Sequence, residues 1–228
     1  MRELDTLIFD WDGTLANSIE RIVTAMQVAA AELKLPALDG EQVRGIIGLG
    51  LPEAIAVLYP GLVGEPQAQE LARGYSAHYR RLDSTPSPLF DGVLDVLERF
   101  RREGFQLAVA TGKGRAGLER ILAAHGLSHY FDATRCADET ASKPDPRMLH
   151  EILQACDSMA GRALMVGDSE FDIQMAHNAG MTAVAVSYGA QSREQLALSR
   201  PTHCIDRFDE LYGWVLAQRE TLISNEVN

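Results

Sequence analysis

Leu7-Ile8-Phe9-Asp10-Trp11-Asp12-Gly13-Thr14 is the stretch on which the fold turns. Three apolar residues end abruptly at a carboxylate and a glycine turn, the pattern of a strand buried on both faces that stops where polar chemistry begins. Ligands of an open parallel sheet bind outside the carboxyl ends of its strands, so the two acids stand where a site is expected. Working outward, residues 106–111, 131–135, 163–167 and 182–187 read as further short strands, with a last one near His203. Helical spacing is predicted at residues 93–103, 118–124, 148–156 and 171–179, and from Phe208 onward. Short apolar strands alternating with helices mean an α/β fold, a doubly wound parallel sheet covered on both faces.

About 95 residues separate the first strand from the second, far more than one crossover needs. Asn17 is predicted to cap a helix with Glu20 three residues on, and Ile22, Met26, Ala30 and Leu33 recur along it until Pro36. Leu51, Ile55 and Leu58 form a second stripe before Pro60, and Leu71, Tyr75, His78 and Leu82 a third before Pro86. His78 reads as packing of that helix. The domain expectation is a catalytic core of residues 1–15 and 87–228 with an all-helical insertion, residues 16–86. The tail after Thr221 reads as frayed.

The 228 residues carry 21 basic and 32 acidic side chains, a net charge of −11, and 46% are hydrophobic. That composition is ordinary for a globular chain and excludes disordered and fibrous classes. The acidic balance argues against nucleic acid as partner, because Arg80-Arg81 and Arg99 with Arg101-Arg102 are too short to track a phosphate backbone and read as solvated helix faces. Cys136, Cys156 and Cys204 lack zinc-site spacing and disulfide density, so they read as free thiols. No run of 18 apolar residues and no signal-peptide pattern is present, and a cytoplasmic protein without a membrane partner is expected. Of three lysines, Lys34, Lys113 and Lys143, the last two fall in motifs.

In the Asp10/Asp12 pair, one carboxylate is suited to attack phosphorus while the other supplies and later removes a proton. The competing reading is a polar turn. Thr111-Gly112-Lys113 ends the second strand with a hydroxyl and a flexible backbone N–H, both able to bond a phosphoryl oxygen. Ser142-Lys143-Pro144-Asp145-Pro146 sets a lysine between a strand and a helix, where it acts on phosphate as a point charge or is simply a loop lysine. Gly167-Asp168-Ser169-Glu170-Phe171-Asp172 closes another strand with carboxylates, the hard oxygens that Mg²⁺ prefers, although Asp172 also suits a helix N-terminus.

Taken in order, these four segments resemble the signature motifs of the haloacid dehalogenase superfamily. The likeness is to its phosphatases with a helical cap inserted after the first motif, and most closely to the phosphoglycolate-phosphatase-like branch. It extends over nearly the whole chain, including Phe90-Asp91-Gly92-Val93 and the Tyr188-Gly189 loop. The resemblance implies that Asp10 is the nucleophile that becomes an aspartyl-phosphate, and that Asp12 is acid for the leaving group and then base for water. It implies Mg²⁺ held by Asp10, the backbone carbonyl of Asp12, Asp168 and Asp172, the last directly or through water. Thr111, the Gly112 N–H and Lys143 would hold the transferring phosphoryl, with Lys113 beside them. The insertion would be a mobile cap, and its Arg44-Gly45 with Gly48-Leu49-Gly50 resembles the cap loop that reaches the site, which makes Arg44 the candidate for a second anionic group of the substrate. Two positions depart from the pattern: Trp11, where Phe, Leu or Met is usual, is expected to pack locally, and Asn17 stands where Asp is common.

The implied substrate is a small phosphorylated metabolite, phosphoglycolate by resemblance alone, with sugar phosphates, pyrophosphate and other small esters open and oligomeric state undetermined. A sugar-phosphate mutase or a pyrophosphatase shares every motif. Dehalogenases lack the second aspartate, and phosphonate hydrolysis needs a cap lysine, for which Lys34 lies at a predicted helix end far from the loop. A rival from another class is Gly112-Lys113-Gly114-Arg115-Ala116-Gly117, which fits the dinucleotide fingerprint and would make the chain an oxidoreductase. That reading wants an acid at the end of the next strand, whereas Asp132 falls near its start and Asp138 late, and it leaves Asp10, Asp12 and Asp168 unexplained. A phosphate-binding protein without catalysis is the remaining alternative.

Overall fold

The apolar run of the first motif forms strand β1 (Thr6–Phe9), with all four residues buried, at the middle of a six-stranded sheet. The structure is a computed structural model that describes residues 4–224, with side chains through residue 219. The other strands are β2 (Gln106–Thr111), β3 (Ala133–Cys136), β4 (Ala163–Gly167), β5 (Thr182–Val186) and β6 (His203–Ile205). Their order is β3-β2-β1-β4-β5-β6 and every pairing is parallel. The chain therefore builds outward from β1 on one side and returns to build on the other. A crevice opens where the order reverses, between the ends of β1 and β4, which puts Asp10 and Asp168 side by side.

The period-two alternation of the strands sorts their side chains onto two faces. Leu7, Phe9, Leu107, Val109, Leu164 and Val166 share one buried cluster with the helices α5 (Val93–Arg102), α6 (Arg115–Ala124) and α10 (Glu210–Ser224). Ile8, Ala108, Ala110, Met165, Ala183 and Ala185 face the other way, onto α7 (Arg147–Ala155), α8 (Glu170–Asn178) and α9 (Arg193–Leu198). Between β1 and α5 lie α1 (Ile19–Glu32), α2 (Gly40–Arg44), α3 (Leu51–Leu58) and α4 (Pro66–Leu82). Ile22, Met26, Ile47, Ile55 and Leu71 of this helical segment form a third buried cluster, which Ala190 alone joins from the sheet side. The two polypeptide crossings into the segment run side by side: the Asn17 N–H donates to the Pro88 carbonyl at 2.8 Å and the Phe90 N–H to the Leu15 carbonyl at 3.0 Å.

Several local expectations shift. Asn17 is not the cap of α1; Ser18 occupies that position, its side chain makes no cap hydrogen bond, and Glu20 turns outward to Arg44. Strand β3 begins two residues later than expected. Helices α2 and α9 were outside the apolar pattern because they are short, yet each is announced by a capping box, Asp39 with Gln42 and Ser192 with Gln195. The backbone of α10 stays helical to Ser224, past the expected fraying at Thr221, and the remainder of the tail lies outside the described residues. Trp11 packs as expected, fully buried against His125 and Phe131. Buried His78 meets Glu32 at 2.8 Å within the helical segment.

Candidate active site

Each polar group of the site leaves the carboxyl end of a strand or the loop beyond it. Asp10 follows β1 directly, and its N–H continues the ladder by donating to the Val166 carbonyl at 2.9 Å. That bond fixes the carboxylate beside β4, whose continuation brings in Asp168 and, one turn into α8, Asp172. Oxygens of Asp10, Asp168 and Asp172 lie within 4.8 Å of one another, and all three residues are buried. Lys143, whose side chain is 0% exposed, sets Nζ 2.7 Å from Asp10 Oδ1 and 2.6 Å from Asp172 Oδ1.

The acids are held from behind. Asp168 accepts from the Thr14 hydroxyl at 3.0 Å and the Ala190 N–H at 2.6 Å; Asp172 accepts from the Ser169 N–H at 3.1 Å and its hydroxyl at 2.6 Å. Glycines give them room: a Cβ on Gly13 (φ +86°), Gly167 or Gly189 would collide with the carboxylate of Asp168 or Asp172. Asp12 stands apart from this trio, accepting from the Ser18 hydroxyl at 2.7 Å and pairing with Lys113 Nζ at 3.0 Å. The Lys113 ammonium also lies 4.4 Å over the ring of Tyr79 from α4.

Electrostatics follow from this packing. Burial raises the Asp10 carboxyl to about 7 against the opposing pull of Lys143, with Asp172 adding to the rise. Burial, with the neighbouring Asp10 and Asp172 charges, also lifts Asp168 well above the ordinary carboxylate range. Burial alone would lower Lys143, but Asp10 and Asp172 override it and hold the ammonium above its usual value. Three buried carboxylates thus face one ammonium, and Asp10 Oδ2 accepts no hydrogen bond among the described residues. A buried excess of negative charge with an orphaned carboxylate oxygen fits a hard divalent cation, which would supply the missing positive charge.

Asp10, Asp12, Thr111, Gly112 and Lys113 line a cavity of about 560 Å³ whose opposite wall is the helical segment. Thr111 Oγ1 accepts the Lys113 N–H at 3.1 Å, which leaves its hydroxyl proton free to donate. Lys143, Asp168 and Asp172 sit beneath Asp10 and do not border the cavity. Arg44 is not brought there either: its guanidinium is paired with Glu20 and lies 3.7 Å from Glu41, away from the cavity wall. The loop after it does arrive, since a Cβ on Gly112 would run into the carbonyl oxygens of Gly48 and Leu49, and the Gly50 N–H donates to Ser142 Oγ at 2.8 Å. Ser18, Thr14 and Ser169 were not anticipated as supports. Each is a hydroxyl within six residues of a motif acid, a signal too common to single out from sequence.

Comparison with known proteins agrees with this geometry. The model of the haloacid dehalogenase-like hydrolase family matches residues 7–186. A probable phosphatase, IndB, of Dickeya dadantii is 35% identical over 91% of each chain, and a phosphoglycolate phosphatase of Vibrio cholerae is 31% identical over 95% of this chain and 99% of its own. The crystal structure of a predicted phosphoglycolate phosphatase from Haemophilus somnus superposes with a TM-score of 0.82 at 26% identity, covering 92% of this chain and 97% of that one. The chain belongs to the haloacid dehalogenase-like hydrolase family. Within it, the chain stands among the phosphatases, in the phosphoglycolate-phosphatase-like branch.

Proposed function

We propose that this protein hydrolyses a small phosphate monoester in two steps through an aspartyl-phosphate on Asp10, with Mg²⁺ as its metal. The observation that carries the reading is the buried Asp10 carboxylate, one oxygen on Lys143 and the other without a partner, at the floor of a cavity that also holds Asp12 and Thr111. In the first step an Asp10 oxygen forms a bond to phosphorus as the bond to the leaving oxygen breaks, and Asp12 delivers the proton that oxygen needs. In the second, Asp12 takes a proton from water, which attacks the phosphorus of the aspartyl-phosphate and frees inorganic phosphate. Lys143 offsets the charge of Asp10, while the Thr111 hydroxyl and the Gly112 N–H donate to the transferring oxygens, because phosphoryl transfer requires positioning and charge neutralisation above all. The residues suited to the metal are Asp10, Asp168, Asp172 and the backbone carbonyl of Asp12; when bound, the cation supplies Lewis acidity at the phosphoryl oxygens.

The helical segment, with its own apolar cluster and paired crossings, supports the reading of residues 16–86 as a cap that excludes water from the acyl-phosphate stage. A cytoplasmic setting is part of this proposal; no described helix is long and apolar enough to cross a membrane. The test is phosphate release from a panel of monoesters and pyrophosphate, in Mg²⁺ or EDTA, with Asp10→Asn as control. Release that requires Mg²⁺ and falls at least about a thousandfold in the variant is expected. A variant as active as the wild type would end the reading.

A further inference from the structure

The cavity speaks to the part of the substrate beyond its phosphate. Its volume is about 560 Å³ with the loop of residues 48–50 lying against the core: a Cβ on Gly112 would strike the Gly48 and Leu49 carbonyls, and the Gly50 N–H donates to Ser142 Oγ. A phosphorylated two-carbon acid has about nine non-hydrogen atoms; even at ~30 Å³ each, the share of a water molecule in the liquid, it fills less than half of that space. Pockets of this size ordinarily enclose ligands with a substantial apolar body.

The wall facing the acids is made for such a body. Ile22 and Met26 of α1, Ile46 and Ile47 after α2, and Tyr75 and Tyr79 of α4 line it, the two tyrosine rings 5.9 Å apart. The cations on that side are already engaged: Lys113 by Asp12 at 3.0 Å, Arg120 by Asp83 at 2.7 Å, and Arg44 by Glu20 outside the cavity. Arg80 alone among the lining cations has no acidic partner among the described residues, and it is exposed, donating from Nε to the Ser76 carbonyl. Glu53 and Asp138 add negative charge to the lining. A carboxylate on the leaving group would therefore be desolvated against aliphatic and aromatic side chains with no free buried cation to offset the loss of its hydration.

Resting on the phosphatase reading above, we propose that the leaving group of the natural substrate is an uncharged, largely apolar alcohol large enough to carry a ring, seated between Met26, Ile47 and the Tyr75/Tyr79 pair. Glycolate, which this lining serves poorly, is then a minor substrate.

The experiment is steady-state kcat/KM in Mg²⁺ for benzyl phosphate, cyclohexylmethyl phosphate, methyl phosphate and 2-phosphoglycolate. Alkyl esters are used because their alcohols are no better as leaving groups than glycolate, so differences report binding in the cavity. Benzyl and cyclohexylmethyl phosphate are expected to exceed 2-phosphoglycolate by at least about tenfold, in line with what a filled apolar pocket discriminates. Tyr75→Ala and Met26→Ala are each expected to cut kcat/KM for the ring-bearing esters about tenfold more than for methyl phosphate. Turnover of 2-phosphoglycolate equal to or faster than the ring-bearing esters overturns this proposal and leaves the phosphatase reading intact. Equal losses for methyl and benzyl phosphate in both variants also overturn it. No release from any ester by folded protein overturns the phosphatase reading, and this one with it.

Discussion

Asp10 carries the largest electrostatic cost in the chain's first motif. Its carboxyl is raised to about 7 by burial, so in the folded protein it prefers to be neutral below that pH, whereas the unfolded chain ionises at its ordinary value of 3.8. Its contribution to stability is therefore fully present below the unfolded value and is lost as pH rises through about 7. In EDTA at pH 8, Asp10→Asn is expected to melt higher than the wild type, by roughly 2–4 °C for each kcal/mol recovered, and the gain should shrink toward pH 4. A variant that melts lower at both pH values would show that Asp10 is not held under strain. Ser18 steadies Asp12. Because its hydroxyl donates to Asp12 at 2.7 Å, Ser18→Ala should lower kcat by about tenfold, while Ser18→Thr retains most of the rate.

Among the elements, the turn after β1 is the most demanding. Gly13 adopts φ +86°, and a Cβ there would strike Asp168 and come within 2.8 Å of Ile19 Cδ1. Gly13→Ala is expected to cost about 1–3 kcal/mol in denaturant melts and to abolish turnover in Mg²⁺, since it displaces Asp168, a proposed ligand of the metal. An unchanged melt would mean the turn has slack that the packing does not show. The same turn explains what was legible in sequence. Leu7-Ile8-Phe9 ending at Asp10 announced the central strand, and β2 and β4 were readable residue for residue because apolar runs in a parallel sheet have sharp polar ends. The ends of α1 were less legible because Ser18 serves Asp12 instead of the helix, a tertiary demand that local capping rules do not contain. Arg44 does not line the cavity for a related reason: the glycine loop beside it does reach the core, but helix α2 turns the arginine back toward Glu20 and Glu41. Tyr75 belongs to the apolar stripe of α4, and only the assembled cavity shows that it and Tyr79 also line the site.

At the scale of the molecule, a protein with a net charge of −11 is proposed to bind an anionic phosphate ester. The contradiction is only apparent, because the local charges are Lys143 and Lys113 together with the proposed cation, for which the three buried carboxylates are suited. Mg²⁺ should therefore stabilise the folded state by mass action, raising the melting temperature of the wild type with concentration and that of Asp168→Asn far less. Equal shifts in both proteins would place the metal elsewhere. Passage of the phosphoryl group through Asp10 can be caught by trapping the aspartyl-phosphate. Asp12→Asn retains the nucleophile but lacks the base for the second step, and p-nitrophenolate leaves without needing a proton. Mixed with p-nitrophenyl phosphate and Mg²⁺, quenched in acid and read by peptide mass spectrometry, this variant should carry one phosphoryl group on the peptide containing Asp10. A phosphoryl group on another peptide, or none from a variant whose wild type turns over the same ester, would contradict the account.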